Sequence, residues 1–224
     1  METEMDLFGI LGPVMIGPSS SHTAGAARIG RAALYLLGEL VKRAEIGFCG
    51  SFAHTYRGHG TDRAVVGGLM DIPTDDPRLR GSLKEAARRG MEVSFSEIAL
   101  KNAHPNTVRL RLTGESGKTM EIVAASVGGG NIEIRAIDGL SLNVTARRHT
   151  LIIRHRDTPG MVARVSSLLA GAPVNIATMQ LARSAVGGSA IMSMELDELP
   201  QDAIIQALRV MRGIDSVTML KKLS

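Results

Sequence analysis

The segment Gly17-Pro-Ser-Ser-Ser-His-Thr-Ala-Gly25 gathers hydroxyl groups and an imidazole just before a helical pattern that runs from Ala26 to Arg43. The first amides of a helix lack intrahelical partners and lie at the positive end of the helix dipole, so they attract anions. We therefore predict a carboxylate site here. Five side chains would line it: Ser19, Ser20, Ser21, His22 and Thr23. The simpler interpretation is a helix N-cap, which needs only one Ser or Thr.

A second candidate is His59, which lies between two glycines in the segment Arg57-Gly-His-Gly-Thr-Asp62. The pattern predicts a strand over Ile46 to Tyr56 and then a helix, with Thr61 as its N-cap and Asp62 in its first turn. His59 would lie exposed at the junction, where glycines let a ligand approach and the helix N-terminus disfavours the protonated imidazole. A loop histidine without function would have the same local sequence, so both interpretations stay open.

Composition argues against several other functions. Two Tyr, four Phe and no Trp leave few platforms on which bases could stack. The excess of four positive charges falls in residues 147–224 without the long basic stripe of a duplex-binding surface, so no nucleic-acid partner is predicted. The chain has one cysteine, Cys49, which by itself cannot form an internal disulfide or hold a zinc ion or iron–sulfur cluster, so no metal ligands are predicted.

The chain also lacks the sequence signals of export or membrane insertion. The first residues, Met-Glu-Thr-Glu, are acidic and have no apolar core of the signal-peptide type. No apolar run reaches the roughly 18 residues that a membrane span requires. We therefore expect a cytoplasmic protein without a membrane partner.

The periodicity predicts an α+β fold with two domains, over residues 1–146 and 150–224. After the serine-rich segment and its helix, the first domain has helices over 61–70 and 81–89, and then an antiparallel meander of three strands over 106–113, 119–127 and 131–137. Gly128-Gly-Gly130 is interpreted as a bulge or tight bend rather than a phosphate cradle, because no helix follows it.

The second domain has the order βαββαβ of a ferredoxin-like unit. Its predicted elements are strands over 150–156, 174–183, 189–196 and 217–221, with helices over 160–170 and 200–212.

Together these motifs resemble the β subunits of iron–sulfur-dependent L-serine dehydratases. The resemblance rests on Gly17–Gly25, Gly58-His-Gly-Thr-Asp62, His104-Pro-Asn106 and Ser126-Val-Gly-Gly-Gly130. The C-terminal unit, with Asp157-Thr-Pro-Gly160 and Val174-Asn-Ile176, is similar to an ACT domain, a small regulatory module that binds amino acids and pairs edge to edge. The likeness covers essentially the whole chain. It implies that the first domain is the serine-dehydratase β-type module, which some phosphoglycerate dehydrogenases share as an allosteric substrate-binding domain.

The resemblance implies deamination of L-serine to pyruvate and ammonia with a [4Fe–4S] cluster instead of pyridoxal phosphate. A separate α subunit would ligate the cluster, and the active site would lie where the two chains meet. His59 would take the α-proton of serine, with His22 as the second catalytic histidine. Ser19, Ser20, Ser21 and His22 would hold the substrate or stabilise developing charge, and the further substrate-binding candidates are Thr23, Thr61 and Asp62. His104-Pro-Asn106 receives no chemical role.

In the ACT unit the implied ligand candidates are Asp157, Gly160 and Asn175. The edge strand of a four-stranded sheet has unpaired backbone groups, so we also expect self-association with another copy. The alternative is that Asn175 only caps a strand and the domain only dimerises. For the whole protein, the alternative function is a non-catalytic amino-acid sensor built from the same two domains.

Overall fold

The computed structural model describes residues 19–223, which divide into two units between Asp138 and Gly139. Gly17 and Pro18 of the serine-rich segment lie outside the described residues. The predicted domain boundary, between residues 146 and 150, stays a prediction.

The first unit is a sheet with helices packed on it. Its described helical segments are a π-helix Ser20–Gly25, α1 Ala26–Leu37, α2 Ser51–His59, α3 Thr61–Leu69, a 3-10 turn Pro77–Gly81 and α4 Ser82–Arg88. Its strands are β1 Val41–Cys49, β2 Glu92–Glu97, β3 Thr107–Gly114, β4 Thr119–Gly128 and β5 Asn131–Ile137. They lie in the order β2-β1-β3-β4-β5, with β2 parallel to β1 and the other pairs antiparallel.

Two glycines let α1 and α3 pack at very short distance. A β-carbon on Gly68 would lie 2.1 Å from the Ala27 carbonyl oxygen, and one on Gly30 would lie 2.2 Å from the Val65 carbonyl oxygen. The backbones of the two helices therefore touch, and no larger residue fits at either position. This contact fixes α3, and with it Thr61 and Asp62, against the helix that continues the serine-rich segment.

The structure corrects two predicted elements. The helix over Ala26 to Arg43 ends at Leu37, because Gly38 has a left-handed backbone with φ 79°, and β1 begins at Val41. The strand over Ile46 to Tyr56 ends at Cys49, and the chain enters α2 at Ser51.

The aromatic and β-branched residues of α2 favour a strand locally, but tertiary packing selects a helix. Phe52 and Tyr56 are four residues apart and therefore share one helical face. Both rings pack on Phe48, with centroid distances of 6.1 and 4.8 Å. Phe95 of β2 joins the same cluster.

Other predictions for the first unit are confirmed with small changes. The helix over 61–70 is α3 and Asp62 lies in its first turn, but the N-cap position belongs to Gly60 rather than Thr61. The three-strand meander is present. All three residues of Gly128–Gly130 have positive φ and connect β4 to β5, and Arg28 Nη1 donates to the Gly130 carbonyl oxygen at 2.9 Å.

The second unit confirms the ferredoxin-like order. Its elements are β6 Leu140–Val144, β7 His149–Arg156, α5 Met161–Ala170, β8 Ile176–Arg183, β9 Ser189–Leu196, α6 Asp202–Arg209 and β10 Ile214–Leu220. Four strands form an antiparallel sheet in the order β10-β7-β9-β8 around an aliphatic and methionine core. The strand β8 lies at the edge of this sheet. Two of its apolar residues are exposed, Met179 to 45% and Leu181 to 48%. Within residues 19–223, no helix has the length and hydropathy that a membrane crossing requires.

Candidate active site

The serine-rich segment forms the first turns of a continuous helix, and Ser19 caps it. Ser19 Oγ accepts a hydrogen bond from His22 N at 3.2 Å, and Thr23 N donates to the Ser19 carbonyl oxygen at 2.9 Å. The simple capping interpretation therefore holds for Ser19. Ser20 and Ser21 are half-buried and take no part in this cap, so their hydroxyls remain candidates for contact with a ligand.

His22 is the centre of the site. Its Nδ1 lies 3.2 Å from Ser19 Oγ, and its Nε2 lies 3.5 Å from Ser51 Oγ. The rings of His22 and His59 stand nearly edge to face, with centroids 4.8 Å apart. Phe52 also packs against the imidazole of His22, with the two ring centroids 5.1 Å apart. The structure thus brings together the two histidines that the sequence singled out.

The surroundings of the two histidines differ. Burial lowers the pKa of His22 and the neighbouring His59 lowers it further, so His22 is neutral near pH 7. The strand predicted before His59 is wrong, because His59 is the last residue of α2, whereas the helix predicted after it is confirmed, because α3 begins at Thr61. His59 is exposed, as predicted.

The remaining predicted substrate-binding residues lie deeper. Thr23 and Thr61 are buried, and within the described part of the chain their hydroxyls have no hydrogen-bond partner. Asp62 is also buried; its Oδ1 accepts from Arg63 N at 2.8 Å, and burial raises the pKa of its carboxyl group. These three side chains are thus less accessible than the half-buried serines. Their predicted contact with substrate stays a prediction.

Sequence reasoning missed the loop that holds α2 in place. Phe52 N donates to the Pro105 carbonyl oxygen at 3.3 Å, and Ser126 N donates to the Asn106 carbonyl oxygen at 3.0 Å. His104 Nδ1 accepts from Asn106 N at 3.1 Å and closes the loop. The His104-Pro-Asn106 motif therefore links the helix that touches His22 to strand β4. Ser51 and Phe52 were missed because the segment was predicted as a strand.

The described residues do not fit a metal cluster by themselves. Across residues 19–223, no three side chains of His, Cys, Asp or Glu lie close enough together to hold a metal ion. Cys49 is free and buried. The groups around His22 are hydroxyls and imidazoles, whereas iron–sulfur clusters are held mainly by thiolates.

Asp157, a predicted ligand residue of the second unit, stabilises the turn between β8 and β9. Its Oδ2 accepts from Gly187 N at 3.1 Å and from Arg183 Nη1 at 2.8 Å, and these two bonds hold the pKa of the carboxyl group below its usual range. Gly160 has φ 80° and occupies the N-cap position of α5, with open space around it.

Asn175 lies at the other end of the same sheet. Its Nδ2 donates to Asp197 Oδ2 at 2.8 Å, just beyond the end of β9, whereas Asp157 N donates to the Gly188 carbonyl oxygen, just before β9 begins. The eight residues of β9 separate these points, a distance of roughly 25 Å at about 3.3 Å per residue. One copy of the chain therefore does not bring Asp157 and Asn175 together.

Comparison with protein families gives two matches. The serine dehydratase beta chain family matches residues 5–87, and the ACT domain family matches residues 149–213. The second match agrees with the ferredoxin-like order of the second unit.

Three curated relatives illustrate the similarity. The probable L-serine dehydratase beta chain of Bacillus subtilis is 41% identical over 212 residues, which are 95% of this chain and 96% of that protein. The L-serine dehydratase beta chain of Peptoniphilus asaccharolyticus is 32% identical, with 98% of both chains covered. The D-3-phosphoglycerate dehydrogenase of Bacillus subtilis is 27% identical over 87% of this chain but only 37% of its own length.

Proposed function

Since the chain belongs to the family of L-serine dehydratase beta chains with a C-terminal ACT domain, we propose that it is the β subunit of an enzyme that converts L-serine to pyruvate and ammonia. The observation that carries the proposal is the contact between the rings of His22 and His59 beside the half-buried Ser20 and Ser21. This arrangement offers a base and hydroxyl donors within one small site, which is what elimination from an amino acid requires.

The two histidines and the serines would have different roles in the reaction. The exposed imidazole of His59 accepts the α-proton of L-serine, and the hydroxyls of Ser20 and Ser21 donate hydrogen bonds to the substrate carboxylate. Loss of the α-proton and the β-hydroxyl removes water and gives aminoacrylate. Its tautomerisation to an imine and the hydrolysis of that imine give pyruvate and ammonia.

We assign the [4Fe–4S] cluster to a cysteine-bearing α subunit, because Cys49 is the single cysteine of this chain. The β chain then contributes substrate binding and proton transfer. On this proposal the exposed end of α2 at His59 faces the α subunit.

The ACT unit would function as a homodimer of two copies of the chain. Antiparallel pairing of the edge strand β8 with β8 of a second copy would bring Asp157 of one copy near Asn175 of the other. The separation of these residues within one copy and the exposure of Met179 and Leu181 on β8 support this proposal. An amino acid bound between the copies would make the unit regulatory.

Anaerobic co-expression with the α chain tests the catalytic proposal. The purified complex should release pyruvate and ammonia from L-serine in equal amounts, and neither chain alone should do so. A cluster-containing complex that binds L-serine but releases no pyruvate would contradict the proposal and favour the amino-acid sensor.

A further inference from the structure

Helix α2 contacts His22 from both of its ends. His59, its last residue, packs edge to face on the ring, while Ser51 and Phe52 in its first turn contact the ring from the other end. Ser51 belongs to none of the motifs that point to the function. It is half-buried and is the first helical residue after Gly50, so its position is fixed by the start of the helix.

Gly50 determines where that first turn points. Its φ of 58° lies in the left-handed region, and a β-carbon there would lie 2.7 Å from the Pro105 carbonyl oxygen. The same carbonyl accepts from Phe52 N. The contacts with Pro105 therefore fix the turn that carries Ser51.

Serine hydroxyls contact both ring nitrogens of His22. A neutral imidazole has one N–H donor and one unprotonated acceptor nitrogen, and a hydroxyl group can accept from the first or donate to the second. Ser19 Oγ lies 3.2 Å from Nδ1, and Ser51 Oγ lies 3.5 Å from Nε2. Each nitrogen therefore has a hydroxyl partner, and the ring is held at both of its nitrogens.

We propose that Ser51 is a positioning residue that holds the ring of His22 through its Nε2 atom, leaving His59 as the imidazole free to accept the substrate proton. Both ring nitrogens of His22 are occupied by serine hydroxyls, whereas the ring of His59 is exposed. The two histidines then have different roles, with His22 as a fixed scaffold and His59 as the base. The assignment of the base rests on the proposed function, while the contact of Ser51 with His22 does not.

Nuclear magnetic resonance on the full-length chain with 15N-labelled histidine tests this contact. The His22 signals are identified by their loss in His22→Gln, and the Nε2 signal and the ratio of the two neutral tautomers are measured at pH 8. Ser51→Ala should change both, because it removes the hydroxyl partner of Nε2, and Ser51→Thr, which keeps a hydroxyl, should retain the wild-type values. Ser51→Cys, with a thiol of similar size that hydrogen-bonds weakly, should also change them and serves if the alanine variant fails to fold.

The control is Thr55→Val on the same helix. It also removes one hydroxyl, but Thr55 Oγ1 donates to the Ser51 carbonyl oxygen and not to His22. A wild-type Nε2 signal and tautomer ratio in Ser51→Ala, or the same change in Thr55→Val, would overturn the proposal.

A second readout links the contact between Ser51 and His22 to turnover. In the assembled enzyme, Ser51→Ala should lower kcat by roughly 10-fold or more, the scale of a misplaced group, and Ser51→Thr should restore most of it. A wild-type kcat in Ser51→Ala would likewise overturn the role of Ser51. Because the His22 signals are measured without the α chain, failure of the proposed function leaves that part of the test intact.

Discussion

Gly25 lies directly on Ser126, so that a β-carbon on Gly25 would be 2.1 Å from Ser126 Oγ and 2.8 Å from its Cβ. The serine-rich segment therefore rests on strand β4 without room for any side chain between them. Since Ser126 N is bonded to the Asn106 carbonyl oxygen, the same strand position joins this segment to the loop that holds α2.

Gly25→Ala should lower the free energy of unfolding by about 1–3 kcal/mol, the usual cost of overpacking a buried position. Ser126→Gly removes the atoms that the new methyl group would meet. The double variant should therefore be more stable than the sum of the two single effects predicts. Urea denaturation of the four proteins measures this coupling, and strictly additive effects would contradict the close contact.

His59→Ala should lower kcat by about 10²-fold, the scale of a lost general base, while the complex with the α chain still assembles. His54→Ala is the matched control, because His54 is an exposed histidine of the same helix. Steady-state pyruvate formation compares the two variants. Normal turnover by assembled His59→Ala would exclude His59 as the base.

Phe52→Leu should raise the pKa of His22. The ring of Phe52 lies 5.1 Å from the imidazole and contributes to the burial that lowers this pKa, so a smaller side chain admits water. Titration of the histidine ring signals in the full-length chain measures the change. Phe95→Leu is the control, since Phe95 belongs to the same aromatic cluster but packs on Phe48 and Tyr56. Equal shifts in both variants would contradict a local effect.

The stability of the chain should depend on pH through His22. Its pKa in the folded state lies below the usual value of 6.5, so the unfolded chain binds more protons between the two values. The contribution of His22 is therefore complete above pH 6.5 and is lost as the pH falls toward the lower, folded-state pKa. The free energy of unfolding should decrease less between pH 7.5 and 5.5 in His22→Gln than in the wild type. Parallel curves for the two proteins would exclude this linkage.

Leu181→Glu should weaken self-association of the chain. Leu181 is an exposed apolar residue on the edge strand β8, and a charge there disfavours burial against a second copy. Sedimentation velocity over a range of concentrations measures the change. Val210→Glu is the control, because Val210 is also an exposed apolar residue but follows α6. If the wild-type chain is monomeric, or if both variants dissociate equally, β8 is not the interface.

The sequence predicts the second unit well because its elements carry consistent local signals. Strand alternation, the turn at Gly187 and the helix after Gly160 all agree with their tertiary surroundings. The segment around Gly50 is different. Its strand-like residues become helical because Phe52 and Tyr56 pack together on Phe48, a contact that no local pattern reveals.

The candidate site is predictable in its histidines but not in its supporting groups. His22 and His59 stand out because each lies in an unusual cluster of polar residues and glycines. Ser51 carries no such signal, since its role follows from the start of α2, and that start depends on the distant Pro105. The short strand β2 was missed as well, because its parallel pairing with β1 is also a long-range contact.

Because α2 is a short helix of nine residues, a displacement along its axis moves both of its ends together. The loop at Pro105 contacts the first turn, and a shift of that turn along the axis also moves the far end at His59. The helix therefore couples the position of this loop to both of its contacts with His22, the one at Ser51 and the one at His59.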